Sequence, residues 1–283
     1  MPTIFPFHQV DVFSPVPLGG NPLAVVSEAD ALDDAQMAAF ARWTNLSETT
    51  FLLRPTHPDA DYRVRIFTPE NELPFAGHPT LGSCHVWLAG GGTPRAPGRI
   101  VQQCGIGLVR IRREHDRLAF AAPPLRRTGP LAPDLLARIS AGLALDPGAI
   151  VASQWIDNGP PWIGILLRTR AELLALRPDA SLSGLCLGVA APCDDLPVSA
   201  EDNARFEVRA FLVGNSVPED PVTGSLNAGL AQWLIGSGLA PVAYVARQGT
   251  ALGRIGRVHI HQADGDAWVG GAVTTCIEGR VTL

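Results

Sequence analysis

The sequence predicts an α/β (α+β) protein made of two similar, pseudo-symmetric domains, and three observations predict it. The chain has 283 residues, a length that suits one large domain or two small ones. Strand-spaced and helix-spaced segments alternate along it. A strand–loop–helix stretch also occurs twice, as DYRVRIFTPENELPFAGHPTLGSCHVWL (61–88) and ARFEVRAFLVGNSVPEDPVTGSLNAGLAQWL (204–234). At a fixed offset, Val64, Arg65, Phe67, Asn71 and Pro74 meet Val208, Arg209, Phe211, Asn215 and Pro218. After a gap of two, Trp87-Leu88 meets Trp233-Leu234. Fixed spacing of this kind is the mark of a duplication.

Taken in order, IFPFHQVDVF (4–13) and LAVV (23–26) read as strands around a Pro/Gly loop. Residues 29–43 have helical spacing, with Leu32, Met37, Phe40 and Trp43 on or near one face and acidic residues early, as the helix dipole prefers. Strands are expected at 50–54 and 61–68, a helix from Thr80 to Leu88, and hairpin strands at 99–103, 107–113 and 117–121. AAPPL followed by RRTGPLAP breaks the pattern, which divides the chain at 1–122 and 123–283. A closing strand at 277–283 is free to cross back to the first domain. Beyond the break a helix near 132–142, strands near 150–156 and 162–168, and a polar, loop-rich stretch around 190–204 are expected.

Composition excludes several classes of function. Hydrophobic residues make up 46% of the chain and charged residues 17%, too apolar for general disorder. The formal net charge is −5 and no basic run stands out, so no nucleic-acid partner is expected. All 22 basic residues are arginine. With no lysine amine, Schiff-base chemistry and a Walker A loop are both excluded. Five widely spaced cysteines form neither a disulfide framework nor a paired zinc motif, which reads as a reducing, cytoplasmic setting. The N-terminus lacks a signal-peptide pattern, and no stretch is long and apolar enough to predict a membrane span.

The two repeated loops carry the chemistry. A helix N-terminus offers unpaired N–H groups and a positive dipole end, a ready anion site. Gly77, His78, Pro79 and Thr80 open the first such helix; Asp220, Pro221, Val222, Thr223, Gly224 and Ser225 open the second. A cleft between two such halves would receive one helix N-terminus from each side and hold a small carboxylate. Each residue alone has a plainer reading: His78 as a cap, Asp220 as an N-cap, Ser225 as a surface hydroxyl, Glu48 as a solvated acid. His259 and His261 alternate on one strand face, but no third metal ligand is evident.

Together these residues resemble the phenazine-biosynthesis PhzF-like family, which has the diaminopimelate-epimerase-like fold. The matching segments are DVFSPVPLGGNPLAVV (11–26), NLSETTFL (45–52), RIFTPENELPFAGHPTLGS (65–83), EDPVTGSLNAGL (219–230) and QGTALGR (248–254). The resemblance implies two domains, each a curved mixed sheet around a long helix. It also implies a homodimer and no metal or organic cofactor. Glu48 is implied as the proton shuttle, with His78, Asp220 and Ser225 lining the substrate site and Asn21 and Ser47 at further pocket positions. The residues themselves add Gly77, Thr80 and Gly224 as holders of an anionic group.

Proton transfer at carbon needs a base whose pKa lies near the working pH. Burial or a nearby carboxylate would raise Glu48 toward it. None of the five cysteines falls in FAGHP or EDPVTGS, which disfavours the two-thiol racemisation known on this fold. After QGTALGR the chain reads IGRV, where relatives often have Pro-Ser. The expected function is a cofactor-independent isomerase of a small carboxylate-bearing substrate. The alternatives are a carboxylate-based epimerase or racemase, and a non-catalytic binding protein.

Overall fold

The computed structural model describes residues 3–146, 148–196, 203–215 and 217–283. The first repeat comprises β1 (Ile4–Val12), β2 (Asn21–Val26), α1 (Asp34–Thr44), β3 (Thr49–Leu53), β4 (Tyr62–Phe67), β5 (Glu72–Leu73), α2 (Gly77–Ala89), β6 (Ile100–Cys104), β7 (Gly107–Glu114) and β8 (Arg117–Ala121). The second comprises α3 (Pro133–Gly142), β9 (Ile150–Trp155), β10 (Trp162–Leu167), α4 (Arg170–Ala175), β11 (Cys186–Pro192), β12 (Ala204–Leu212), β13 (Glu219–Asp220), α5 (Gly224–Gly236), β14 (Ala243–Gln248), β15 (Gly256–Ala263) and β16 (Asp266–Gly271). The last strand is β17 (Val273–Thr282). Two compact units result, 1–121 with 270–283, and 122–269. The division read from sequence placed 123–283 together and left 277–283 free to cross back; β17, from Val273, runs antiparallel along β1.

Each unit follows one strand grammar. In the first, β2 pairs parallel to β3, β3 antiparallel to β4, β4 parallel to β6, and β6 antiparallel to β7. In the second, β10 pairs parallel to β11, β11 antiparallel to β12, β12 parallel to β14, and β14 antiparallel to β15. A two-residue strand, β5 on β4 and β13 on β12, leads each time into a helix of 13 residues.

Those helices are central. α2 packs against β1, β2, β3, β4, β8 and β17, and α5 against β10 and β15. Both are buried on nearly every side, as a helix without a polar stripe must be. Gly82 and Gly229 let each helix come close to its neighbours. A Cβ at Gly82 would lie 2.5 Å from Leu23, and one at Gly229 would lie 2.7 Å from the Ile156 carbonyl oxygen. Around α1, Phe5, Met37, Phe40, Phe51 and Phe67 form an outer core. Around α3 and α4, Ile139, Ile163, Leu173, Leu187 and Phe211 form its counterpart.

The structure adjusts several sequence readings. The helix expected at 29–43 breaks into a short 3-10 turn and α1, because Asp33 caps α1 reciprocally with Gln36. Trp43 does not join its buried face: it is 80% exposed and stacks on Phe40. The first central helix starts at Gly77, three residues before the expected Thr80, since Pro79 is tolerated within a first turn. Strand β11 and helix α4 were not expected. Of the loop-rich stretch near 190–204, residues 197–202 lie outside the described residues.

The repeat is also registered differently. Arg65 grips Glu72 with two bonds (2.8 and 2.7 Å) and Arg209 grips Glu219 with two (2.9 and 2.7 Å). Glu72 therefore corresponds to Glu219, Leu73 to Asp220, Gly77 to Gly224 and His78 to Ser225. The second loop carries three extra residues, so the matches Asn71/Asn215, Pro74/Pro218 and Trp87/Trp233 are displaced.

Candidate active site

In the first unit, Asn21, Glu48 and His78 come together. Asn21 opens β2 and is fully buried. The chain reaches it through a turn fixed by Asp11, whose carboxylate accepts the Gly20 N–H at 2.8 Å. His78 is the second residue of α2, and Glu48 precedes β3. The Asn21 amide nitrogen lies 3.3 Å from His78 Nδ1, and Glu48 Oε2 lies 3.2 Å from His78 Nε2.

Burial pushes the His78 imidazolium down to about 3, because a charged ring in this dry position loses its hydration. The ring is therefore neutral near pH 7. With Asn21 donating to Nδ1, the single ring proton sits on Nε2, facing the Glu48 carboxylate. The His78 side chain is 4% exposed and that of Glu48 is 15% exposed. Of the pair, the glutamate is the member open to an incoming molecule. Ser47 beside it is half-buried.

Neither Ala76 nor Thr223 caps its helix with a side chain, and neither first turn holds an acidic residue. By contrast α1 and α4 are both closed by capping boxes. The dipole ends of the two central helices thus stay electropositive. Thr80, expected to bind substrate, does not present its hydroxyl. It is fully buried, donates to the Ala76 carbonyl at 2.9 Å and accepts from Gln102 Nε2 at 3.0 Å. Its work is to hold the start of α2.

In the second unit, Asp220, Thr223, Gly224 and Ser225 are set by a buried amide network. Gln248 Oε1 accepts from the Thr223 N–H (3.0 Å) and from Asn227 Nδ2 (2.8 Å). Gln248 Nε2 donates to the Asp220 carbonyl (3.1 Å) and to Thr223 Oγ1 (2.9 Å). The Thr223 hydroxyl then donates to Asp220 Oδ2 at 2.5 Å. Trp162 Nε1, which can only donate, lies 3.1 Å from Ser225 Oγ. Ser225 accepts there, so its own hydroxyl proton is free to be donated elsewhere. Asn158 Nδ2 holds the Ser225 carbonyl at 2.8 Å.

Gln248, Trp162 and Asn158 were not singled out as site residues. Only Gln248 carried a signal, as the first residue of QGTALGR. Among the described residues no cluster of three metal-ligating side chains occurs, so His259 and His261 gain no third ligand. Burial pushes the Cys84 thiol, the nearest to the start of α2, up to about 12. It is no candidate for a thiolate base. No helix of the described residues is long and apolar enough to cross a membrane.

The family model of phenazine biosynthesis-like proteins, PhzC-PhzF, matches residues 10–279. The chain is 37% identical to antisense-enhancing sequence 1 of Schizosaccharomyces pombe, covering 97% of each chain. It is 34% identical to trans-2,3-dihydro-3-hydroxyanthranilate isomerase of Pseudomonas aeruginosa, covering 88% of this chain and 87% of that one. A solved structure from Pseudomonas aeruginosa described as a predicted epimerase superposes with a TM-score of 0.75 over 99% of both chains, at 28% identity.

Proposed function

This chain belongs to the PhzC-PhzF family of phenazine biosynthesis-like proteins and is an isomerase; we propose that it moves a proton between carbons of a small carboxylate-bearing substrate by general acid/base catalysis. The observation that carries the proposal is Glu48 Oε2 lying 3.2 Å from Nε2 of a histidine that burial keeps neutral. A cationic His78 would lock Glu48 into a permanent ion pair. A neutral ring at that distance sets no fixed positive charge against the carboxylate.

In the proposed cycle Glu48 takes a proton from one carbon of the substrate and becomes the neutral acid. The electron pair of the broken C–H bond delocalises through the unsaturated substrate. Glu48 then returns the proton to a second carbon, so substrate and product have the same composition and the enzyme ends as it began. His78 orients the carboxylate and follows its change of charge through the Nε2 proton. Asp220 accepts from a polar hydrogen beside the reacting carbons. The substrate carboxylate is assigned to the Ser225 hydroxyl and the first-turn N–H groups at Gly224 and Ser225, with Gly77 offering another such group. Asn21 fixes the ring of His78, and Ser47 lies next to the shuttle. No step calls for a metal or organic cofactor.

The first substrate to try is trans-2,3-dihydro-3-hydroxyanthranilate, since a relative 34% identical is named for that isomerisation. Proton NMR in deuterium oxide should show its double bonds shifting with wild-type protein and not with Glu48→Gln. Deuterium entering a stereocentre without bond migration would replace isomerisation by epimerisation. Turnover undiminished in Glu48→Gln would remove Glu48 from the mechanism.

A further inference from the structure

A cavity opens in the first unit at the end of α2 away from His78. His78 stands in the first turn of α2, and Gly90, Gly91 and Gly92 follow its last residue. A helix of 13 residues at about 1.5 Å per residue sets the two ends roughly 20 Å apart. The start of β1, the ends of β2 and β3 and the start of β4 close the cavity around that glycine run. Its volume is about 470 Å³, within the size range of small-molecule sites. Leu52, Tyr62 and Val86 give it a buried, apolar floor. Trp87 is fixed as one wall: Tyr62 stacks on it at 5.1 Å, and a Cβ at Gly92 would lie 2.4 Å from its indole carbons. The glycines keep the space clear, since a Cβ at Gly91 meets nothing within 4 Å.

The carboxylates around this cavity are in unequal states. Asp30 accepts the Arg54 N–H at 3.1 Å and faces its guanidinium at 3.4 Å. Asp61 accepts the Arg95 and Val101 N–H groups at 2.8 and 2.7 Å. Glu28 is exposed and makes no hydrogen bond or ion pair among the described residues. Arg54, the arginine of this wall, is thus matched by Asp30, and Glu28 is left unmatched. The last turn of α2 holds no basic residue, so nothing on the helix offsets its negative dipole end. His8 Nδ1, in the same wall, is closed to solvent and has no hydrogen-bond partner. Polar atoms left so are rare in native structures, and a donor entering the cavity would complete this one.

We propose that this cavity binds a small organic cation, an ammonium or amidinium group carried on an apolar body. The cation lies between Glu28 and the end of α2, and the apolar body rests on Leu52, Val86 and the edge of Trp87. Each half of such a molecule meets what the wall lacks. The positive charge answers Glu28 and the helix end, its N–H groups supply donors, and the apolar body covers the floor. An anion would meet carboxylates, and a purely apolar guest would leave Glu28 and His8 as they are. The cavity lies at the opposite end of α2 from the pairing of Glu48 with His78, so its occupancy is separate from the proposed proton transfer and does not depend on it.

Titration calorimetry of the full chain with benzamidinium, beside its neutral isostere benzamide, tests the proposal. Benzamidinium should bind with Kd of about 1 mM or tighter, a modest demand on a ligand of its size, and benzamide roughly tenfold more weakly. Glu28→Gln, at an exposed position, should cost roughly fivefold in affinity for benzamidinium and leave benzamide unchanged. Gly90→Phe should abolish binding by filling the cavity. A Cβ at Gly90 approaches only the Val86 and Trp87 carbonyl oxygens, at 3.4 and 3.6 Å, so thermal unfolding of this variant should stay near wild type. Glu48→Gln should bind benzamidinium as the wild type does. No binding at about 10 mM benzamidinium, equal affinity for the two compounds, or wild-type affinity kept in Glu28→Gln or in Gly90→Phe overturns the proposal. So does loss of binding in Glu48→Gln, which would place the compound beside His78 instead.

Discussion

The starts of α2 and α5 occupy corresponding places in the two repeats yet carry different chemistry. Both follow an arginine–glutamate fork and a two-residue strand, both lack a side-chain cap, and both are held by a glutamine from the neighbouring parallel strand. At matched positions the first has Leu73, Ala76, His78 and Thr80 where the second has Asp220, Thr223, Ser225 and Asn227. Duplication kept the parts that aim a helix end and varied the residues placed on it. The proposed division of labour follows: the first half moves the proton, and the second holds polar groups in place.

The sharpest break of that comparison is Glu48→Gln. It keeps the shape of the side chain and removes the base, so kcat should fall about 10²–10⁴-fold, the usual worth of a positioned general acid/base. Ligand affinity and thermal unfolding should stay near wild type, as calorimetry would show. An equal loss of ligand affinity would place Glu48 in binding instead.

The forks offer the next contrast. The Arg209 side chain is 5% exposed and also serves the Leu173 and Leu176 carbonyls at 3.1 and 3.0 Å, whereas that of Arg65 is 17% exposed and reaches Glu72 and Asp34. Arg209→Met would leave Glu219 and those carbonyls without their donor, at about 3 kcal/mol. Arg65→Met should cost about 1 kcal/mol. Urea unfolding of the two variants measures the difference.

These same forks explain what the sequence made legible. A fixed offset aligns β4 with β12 correctly, because Val64, Arg65 and Phe67 recur with unchanged spacing as Val208, Arg209 and Phe211. It then follows Asn71/Asn215 and Pro74/Pro218, identities that the three-residue insertion has displaced. Only the Arg–Glu pairing in space reveals the true register. Glu48, His78, Asp220 and Ser225 stood out through motifs, and the structure brings Glu48 to His78 within the first unit. β11 escaped notice because CLGVAAP is poor in strand-favouring residues. Its Gly188 is required by packing: a Cβ there would lie 2.0 Å from Leu226 of α5. Helix α4 did leave a trace, the Thr169…Glu172 capping box. Trp162 and Asn158 leave none: Trp162 heads the apolar run WIGILL and Asn158 sits in the turn-rich IDNGPP, where neither stands out.

A buried neutral histidine on one side and a serine at the matched place predict unequal responses to acid. The folded-state pKa of His78 is about 3, against about 6.5 unfolded. As pH falls below about 6.5 the unfolded chain takes up a proton that the folded chain refuses. The stability contribution is thus complete above about 6.5 and is lost progressively toward about 3. Between pH 7 and 5 this linkage should lower unfolding free energy by about 2 kcal/mol. His78→Asn should flatten the slope by that amount in urea titrations at the two pH values, while Ser225→Ala should leave it unchanged. A wild-type slope retained in His78→Asn would mean that the imidazole is not the group refusing the proton.

The smallest expected effect belongs to that serine. Its hydroxyl accepts from Trp162 Nε1 at 3.1 Å, which leaves one proton to give and makes it a donor for an anion, not a base. Ser225→Ala removes that single charge-assisted bond and leaves the first-turn N–H groups in place. KM should rise roughly tenfold, in keeping with about 1.5 kcal/mol for a hydrogen bond to a charged group. The value of kcat should stay within a few-fold, because the substrate carboxylate is bound equally in ground and transition states. Steady-state kinetics of Ser225→Ala beside Glu48→Gln then separates the two halves by the parameter each one moves. A fall in kcat for Ser225→Ala as deep as that for Glu48→Gln would show that the serine contributes to the proton transfer itself, and the division of labour between the repeats would have to be redrawn.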